Sequence, residues 1–179
     1  MPRHLTSEIE RYPIAGTFTI SRGSKTEAEV IVCTIADRAA RGRGECVPYR
    51  RYGESLEGVR AEIEAARVDI RNGIGREELL RVMKPGAARN AVDCALWDLE
   101  AKRSGQRAHV TAGIAHPRGI TTAMTISLGE PEAMAAAARA NASRPLLKVK
   151  VGSDGDIARI RAVAQAAPAS RIILDANEG

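Results

Sequence analysis

Two signals predict an α+β portion followed by a parallel βαβαβ run. The first part of the chain reads as strands and then helices, the order of an α+β fold. From about residue 120 onward, strand-like and helical stretches alternate, the grammar of parallel strands joined by right-handed crossovers. The chain has 179 residues, 44% of them apolar. That is enough to bury a real core, and it excludes a disordered tail, a collagen-like fibre and a disulfide-stapled miniprotein.

Taken in order, Phe18–Ser21 and Glu27–Asp37 are strand-like, the second holding Val30, Ile31, Val32 and Ile35. An Arg38–Arg43 turn leads to a third strand over Gly44–Val47, with Gly42 and Gly44 read as hairpin-turn glycines. Pro48–Ser55 is a polar loop bearing Tyr and Arg. Ser55 opens a helix whose apolar residues Val59, Ile63, Ala66 and Ile70 recur at helical spacing, and a short helix follows over Glu77–Met83. Pro85–Gly86 starts the clearest helix, with Val92, Ala95, Leu96 and Leu99 on one stripe and Gly105 as its C′ residue. Then come Thr121–Leu128 (strand), Pro131–Asn141 (helix), Leu146–Val151 (strand), Asp154–Ala166 (helix) and Arg171–Ala176 (strand). The last strand is expected as an unpaired edge exposing Ile172, Ile173 and Leu174.

Composition narrows the function classes. No apolar run approaches the ~18 residues of a membrane span, and the first twenty residues hold Arg3, Glu8, Glu10 and Arg11 instead of a signal-peptide core. Cys33, Cys46 and Cys94 lack metal-ligand spacing and read as reduced thiols of a cytoplasmic protein. The net charge of +5 is spread in singles and doublets, and aromatics are only 3% of the chain. Both argue against a base-stacking nucleic-acid binder.

Two strands carry candidate chemistry. In Leu147-Lys148-Val149-Lys150-Val151 the lysines share one face and the apolar residues the other. One reading is a solvated lysine face. The other is a lysine pair in a barrel mouth, where mutual repulsion and burial lower a lysine pKa towards that of a base. Asp175 lies at the C-terminal end of a predicted parallel strand with Asn177 two residues on. Catalytic groups of barrel enzymes sit at such ends, a carboxylate there suits a hard divalent cation, and a loop or capping role is the plainer alternative.

Several stretches together carry a resemblance. They are Ser21-Arg22-Gly23, the run Gly44-Glu45-Cys46-Val47-Pro48-Tyr49 through Arg51-Tyr52-Gly53-Glu54-Ser55, Ala91–Lys102, Thr121–Leu128, the Lys148/Lys150 strand and Asp175-Ala176-Asn177. In this order they resemble the enolase superfamily, within its muconate-lactonizing and mandelate-racemase-like branch, and look most like the dipeptide epimerases. The resemblance implies an α+β capping domain over residues 1–115 and the start of a (β/α)₇β TIM-like barrel over 116–179, cut after its third strand. It implies a Mg²⁺ ion, with Asp175 as a ligand and Asn177 in support. Lys150 would be the base that removes a substrate α-proton through a metal-stabilised enediolate, with Lys148 beside it. Arg22, Tyr49, Arg51, Tyr52 and Thr125 would bind the substrate, a dipeptide such as Ala-Glu or a related carboxylate.

The family also uses further acidic ligands and an opposite-face lysine on later strands. The 179 residues alone are therefore expected to be inactive, and the complete protein to be a homo-oligomer with no membrane or nucleic-acid partner. Other reactions of the branch (cycloisomerase, dehydratase, N-acyl amino acid racemase) and a non-catalytic anion- or RNA-binding role are the alternatives.

Overall fold

The computed structural model describes residues 2–20, 23–152 and 154–177. They fall into two compact units, one of Met1–Tyr12 and Glu29–Pro117, the other of Pro13–Ala28 and Arg118–Gly179.

A sheet of order β1-β2-β3, with β1 at His4–Ile20, β2 at Gly23–Asp37 and β3 at Ala40–Cys46, belongs to the first unit except for the parts of β1 and β2 within Pro13–Ala28, which fall in the second. Strands β2 and β3 pair antiparallel, Asp37 opposite Ala40 and Ile31 opposite Cys46. A 3₁₀ turn, Arg50–Tyr52, precedes α1 (Leu56–Ala65), α2 (Arg67–Arg71), α3 (Arg76–Val82), α4 (Ala87–Ser104) and α5 (Ala108–Thr111). Ser55 caps α1, its hydroxyl accepting the Gly58 N–H at 3.0 Å. Helix α4 ends at Gly105 in the left-handed conformation, as its sequence predicts. Its buried stripe of Ala88, Ala91, Val92, Ala95, Leu96 and Leu99 meets Ile31, Cys33, Ile35 and Cys46 of the sheet and Val59, Ile63, Ile70 and Leu79 of the shorter helices.

Two expectations for this unit are corrected. Strand β1 begins at His4, well before Phe18. Its first part alternates buried Leu5 and Ser7 with more exposed His4, Thr6 and Glu8, and the charged outer positions hide the pattern. The turn between β2 and β3 is only Arg38-Ala39, so Gly42 and Gly44 lie inside β3. They are glycines because α4 crosses directly over them: a Cβ on Gly42 would lie 2.0 Å from the Ala95 carbonyl oxygen, and one on Gly44 2.0 Å from that of Ala91.

The second unit contains a parallel three-stranded sheet of order β4-β5-β6, with β4 at Met124–Ile126, β5 at Leu146–Lys150 and β6 at Arg171–Asp175. The crossovers are α6 (Pro131–Ala140) and α7 (Asp156–Ala166), and Pro131 opens α6 where a missing N–H costs nothing. Ile126, Leu147 and Val149 pack against Met134, Ala138, Val163 and Ala167, so the apolar face of β5 meets the helices as its alternation predicts. Ile173 and Leu174 are exposed, whereas Ile172 packs against this core, contrary to the expectation that all three are open. No helix among the described residues is long and apolar enough to cross a membrane.

The close approach of α4 to β3 predicts that Gly44→Ala destabilises the fold by at least about 1–3 kcal/mol, the range for overpacking. Gly75→Ala, where nothing stands within 4 Å of the added carbon and φ is −92°, is its control. Chemical unfolding of both variants checks this. Similar midpoints would mean that α4 can move off the strand freely.

Candidate active site

Register builds the site. In parallel pairing Thr125 stands opposite Lys148, and Lys150 opposite Asp175, and partners in register share a face. The face of β5 opposite the helices thus carries Lys148 and Lys150, flanked by Thr125 on β4 and Asp175 on β6.

Both lysines converge on one oxygen. Lys148 Nζ and Lys150 Nζ each lie 2.7 Å from Asp175 Oδ2. Lys150 is the buried member, its side chain 5% exposed against 38% for Lys148. Its ammonium also donates to Asn177 Oδ1 at 2.5 Å and lies 5.5 Å from the centroid of the Phe18 ring, a cation–π distance. The Asn177 N–H donates to Asp175 Oδ1 at 2.9 Å. Asn177 holds the left-handed conformation, φ 50°, which asparagine tolerates better than most residues. Hydrogen bonds from Lys148, from Lys150 and from the Asn177 N–H hold the Asp175 carboxyl well below the usual carboxylate range.

Spacing and burial alone set two ammonium groups against each other in mutual repulsion. The fold answers it with a shared counter-ion, because the β5–β6 register sets Asp175 against Lys150. Asp175 and Asn177 both offer oxygen, the donor a hard cation takes, so the chemistry of the pair fits Mg²⁺. Among the described residues no group of three or more His, Cys, Asp or Glu gathers to hold a metal.

Two structural roles escape the sequence pattern. In sequence Phe18 reads only as a strand residue, and no local spacing ties it to Lys150. The other is that of Glu54. In the first unit, Tyr49 precedes the 3₁₀ turn and Tyr52 ends it, their ring centroids 5.5 Å apart, and Tyr52 and Arg51 are exposed. Glu54 fastens this loop, accepting the N–H of Tyr49 at 2.9 Å with one oxygen and that of Ala87 at 2.7 Å with the other. The loop borders a cleft of about 720 Å³ that Glu62, Lys84 and Asn90 also line. Arg22 lies outside the described residues.

Comparison with known proteins gives these positions a context. Residues 5–109 match the N-terminal domain family of mandelate racemase and muconate lactonizing enzyme. An L-Ala-D/L-Glu epimerase of Escherichia coli K12 is 42% identical over 171 residues, 94% of this chain and 53% of that protein. A crystal structure of an enolase family member from Agrobacterium tumefaciens with homology to dipeptide epimerases, with bound sodium and L-Ala-L-Glu, superposes with a TM-score of 0.95 at 59% identity. It covers 99% of this chain and 55% of that one. A dipeptide epimerase from Enterococcus faecalis V583, complexed with Mg and L-Leu-L-Tyr, gives 0.87 at 26% identity, covering 99% and 54%. The chain spans about half the length of these relatives.

The depressed Asp175 pKa fixes a pH dependence. The folded value lies below the unfolded one, so the triad's contribution is complete above about pH 4 and is lost as pH falls towards the folded value. Acid unfolding of Asp175→Asn is therefore expected to be less steep in that window than that of the native sequence, with a lower melting midpoint at neutral pH. Identical acid slopes would show that the carboxylate is not held by the lysines.

Proposed function

Because the chain belongs to the mandelate racemase and muconate lactonizing enzyme family, we propose that the protein carrying it inverts the α-carbon of a dipeptide's C-terminal residue, Ala-Glu in the first instance. The observation that carries this reading is the buried Lys150 beside Lys148 on the open face of β5, with Asp175 at the tip of the adjoining strand.

Lys150, as the neutral amine, is the group that takes the α-proton, and it becomes the ammonium that Asp175 and Asn177 hold. Phe18 and Asn177 limit its swing, and a base held on a strand is better placed than one on a loop. Lys148, nearer to solvent, puts positive charge where negative charge develops on the substrate carboxylate. Asp175, with Asn177 in support, would contribute to holding Mg²⁺, which when bound supplies positive charge next to that carboxylate. Arg22, Tyr49, Arg51, Tyr52 and Thr125 bind the remainder of the dipeptide. The Agrobacterium relative's bound L-Ala-L-Glu supports the choice of substrate, and the Enterococcus relative's Mg supports the choice of ion. The three free thiols are in keeping with a cytoplasmic setting, and assembly into a homo-oligomer completes the proposal.

The test is exchange of the substrate α-proton with D₂O, followed by NMR on L-Ala-L-Glu and L-Ala-D-Glu separately. Lys150→Ala is expected to reduce exchange of one epimer by roughly 10²-fold or more and to spare the other. Undiminished exchange of both removes Lys150 from the chemistry. Turnover of N-acetylglutamate in preference to Ala-Glu moves the protein to the N-acyl amino acid racemases.

A further inference from the structure

We infer that Arg159 and Asp156 form a clamp that fixes the ends of β4 and β5 and thereby positions the Lys150 ammonium, a role that rests on the reading of Lys150 as the base. Arg159 lies one turn into α7, its side chain only 14% exposed. Its Nε donates to the carbonyl oxygen of Gly129, three residues past β4, at 2.8 Å. Its Nη1 donates to the carbonyl of Asp154 at 2.6 Å and to Asp156 Oδ1 at 3.2 Å. The other oxygen of Asp156 accepts the N–H of Gly152, two residues past Lys150, at 2.8 Å.

One guanidinium thus ties the loop after β4 to the loop after β5. Arginine suits the task because its planar fork presents several donors at fixed angles, and its charge strengthens each bond. The need for a clamp is local. Gly152 has φ +118°, a conformation L side chains rarely adopt, so the chain turns sharply just beyond the lysine without a side chain to hold it. Asp156 captures that turn through its N–H, and Arg159 holds Asp156. Thr125 and Lys148 are paired in the same two strands, so the clamp also keeps β4 in step with β5 at the end where the polar groups gather. A displacement of about 1 Å at a reacting group costs on the order of 10²-fold in rate.

The test uses the ¹⁵N-labelled protein carrying this chain and three readouts: exchange of the Gly152 amide, the Lys150 ¹⁵Nζ resonance assigned by its loss in Lys150→Met, and kcat and KM for Ala-Glu. Arg159→Met is expected to speed Gly152 exchange at least about 10-fold, to shift the Lys150 resonance, and to lower kcat about 10-fold or more with KM unchanged. Arg159→Lys recovers part of each effect, and Arg161→Met, exposed on the same helix, leaves all three as they were. Should Arg159→Met fail to fold, Asp156→Asn, which preserves size, is measured instead. The clamp is overturned by an unmoved Gly152 amide or Lys150 resonance, by an unchanged kcat, or by equal effects in Arg161→Met. If the unaltered protein exchanges no α-proton, the functional reading falls, while the two NMR readouts still decide the clamp.

Discussion

One carboxylate oxygen between two ammonium groups is the interaction on which the second unit's polar face depends. Lys148 and Lys150 are forced together by the two-residue period of a strand whose other face is buried under helices. Left alone they would repel, and the buried one would also lack a counter-charge, which is costly in a protein interior. Asp175 Oδ2 lies 2.7 Å from both nitrogens, so two attractions act at contact distance against one repulsion. Asn177 and Phe18 then complete the surroundings of the buried ammonium. Charge balance on this face is thus set by three side chains, Lys148, Lys150 and Asp175.

The first unit solves a different problem, bringing a helix onto a strand at minimal distance. Alanines at 88, 91 and 95 on α4 and glycines at 42 and 44 on β3 remove the side chains that would keep them apart. This firm base matters for the neighbouring loop. Glu54 anchors the Tyr49–Tyr52 turn to the first residue of α4 through backbone N–H groups. The tyrosine loop is therefore held by the same helix that packs the sheet.

Alternation and helical periodicity made most elements legible: the faces of β5, the stripe of α4, and the strand–helix–strand order after residue 120 all follow from side-chain spacing. The residues proposed as base and metal ligand were legible as types at strand ends. Register was not. Nothing in Arg171–Asp175 alone says that Asp175 stands opposite Lys150 and not two residues away, because offset is decided by how both crossover helices pack. Close approach was also hidden, since Gly42 and Gly44 read equally well as turn residues until α4 is seen lying over them. The partnership of Phe18 with Lys150 joins residues 132 positions apart, beyond the reach of any local pattern.

The shared counter-ion is tested most directly by following the ¹³Cγ resonance of Asp175 through an acid titration in the unaltered protein and in Lys148→Met and Lys150→Met. With both lysines present, the carboxyl is expected to titrate well below the ordinary aspartate range, and to move back towards it when either lysine is removed. An Asp175 that titrates at its ordinary value in all three proteins would contradict the arrangement from which the functional reading is drawn.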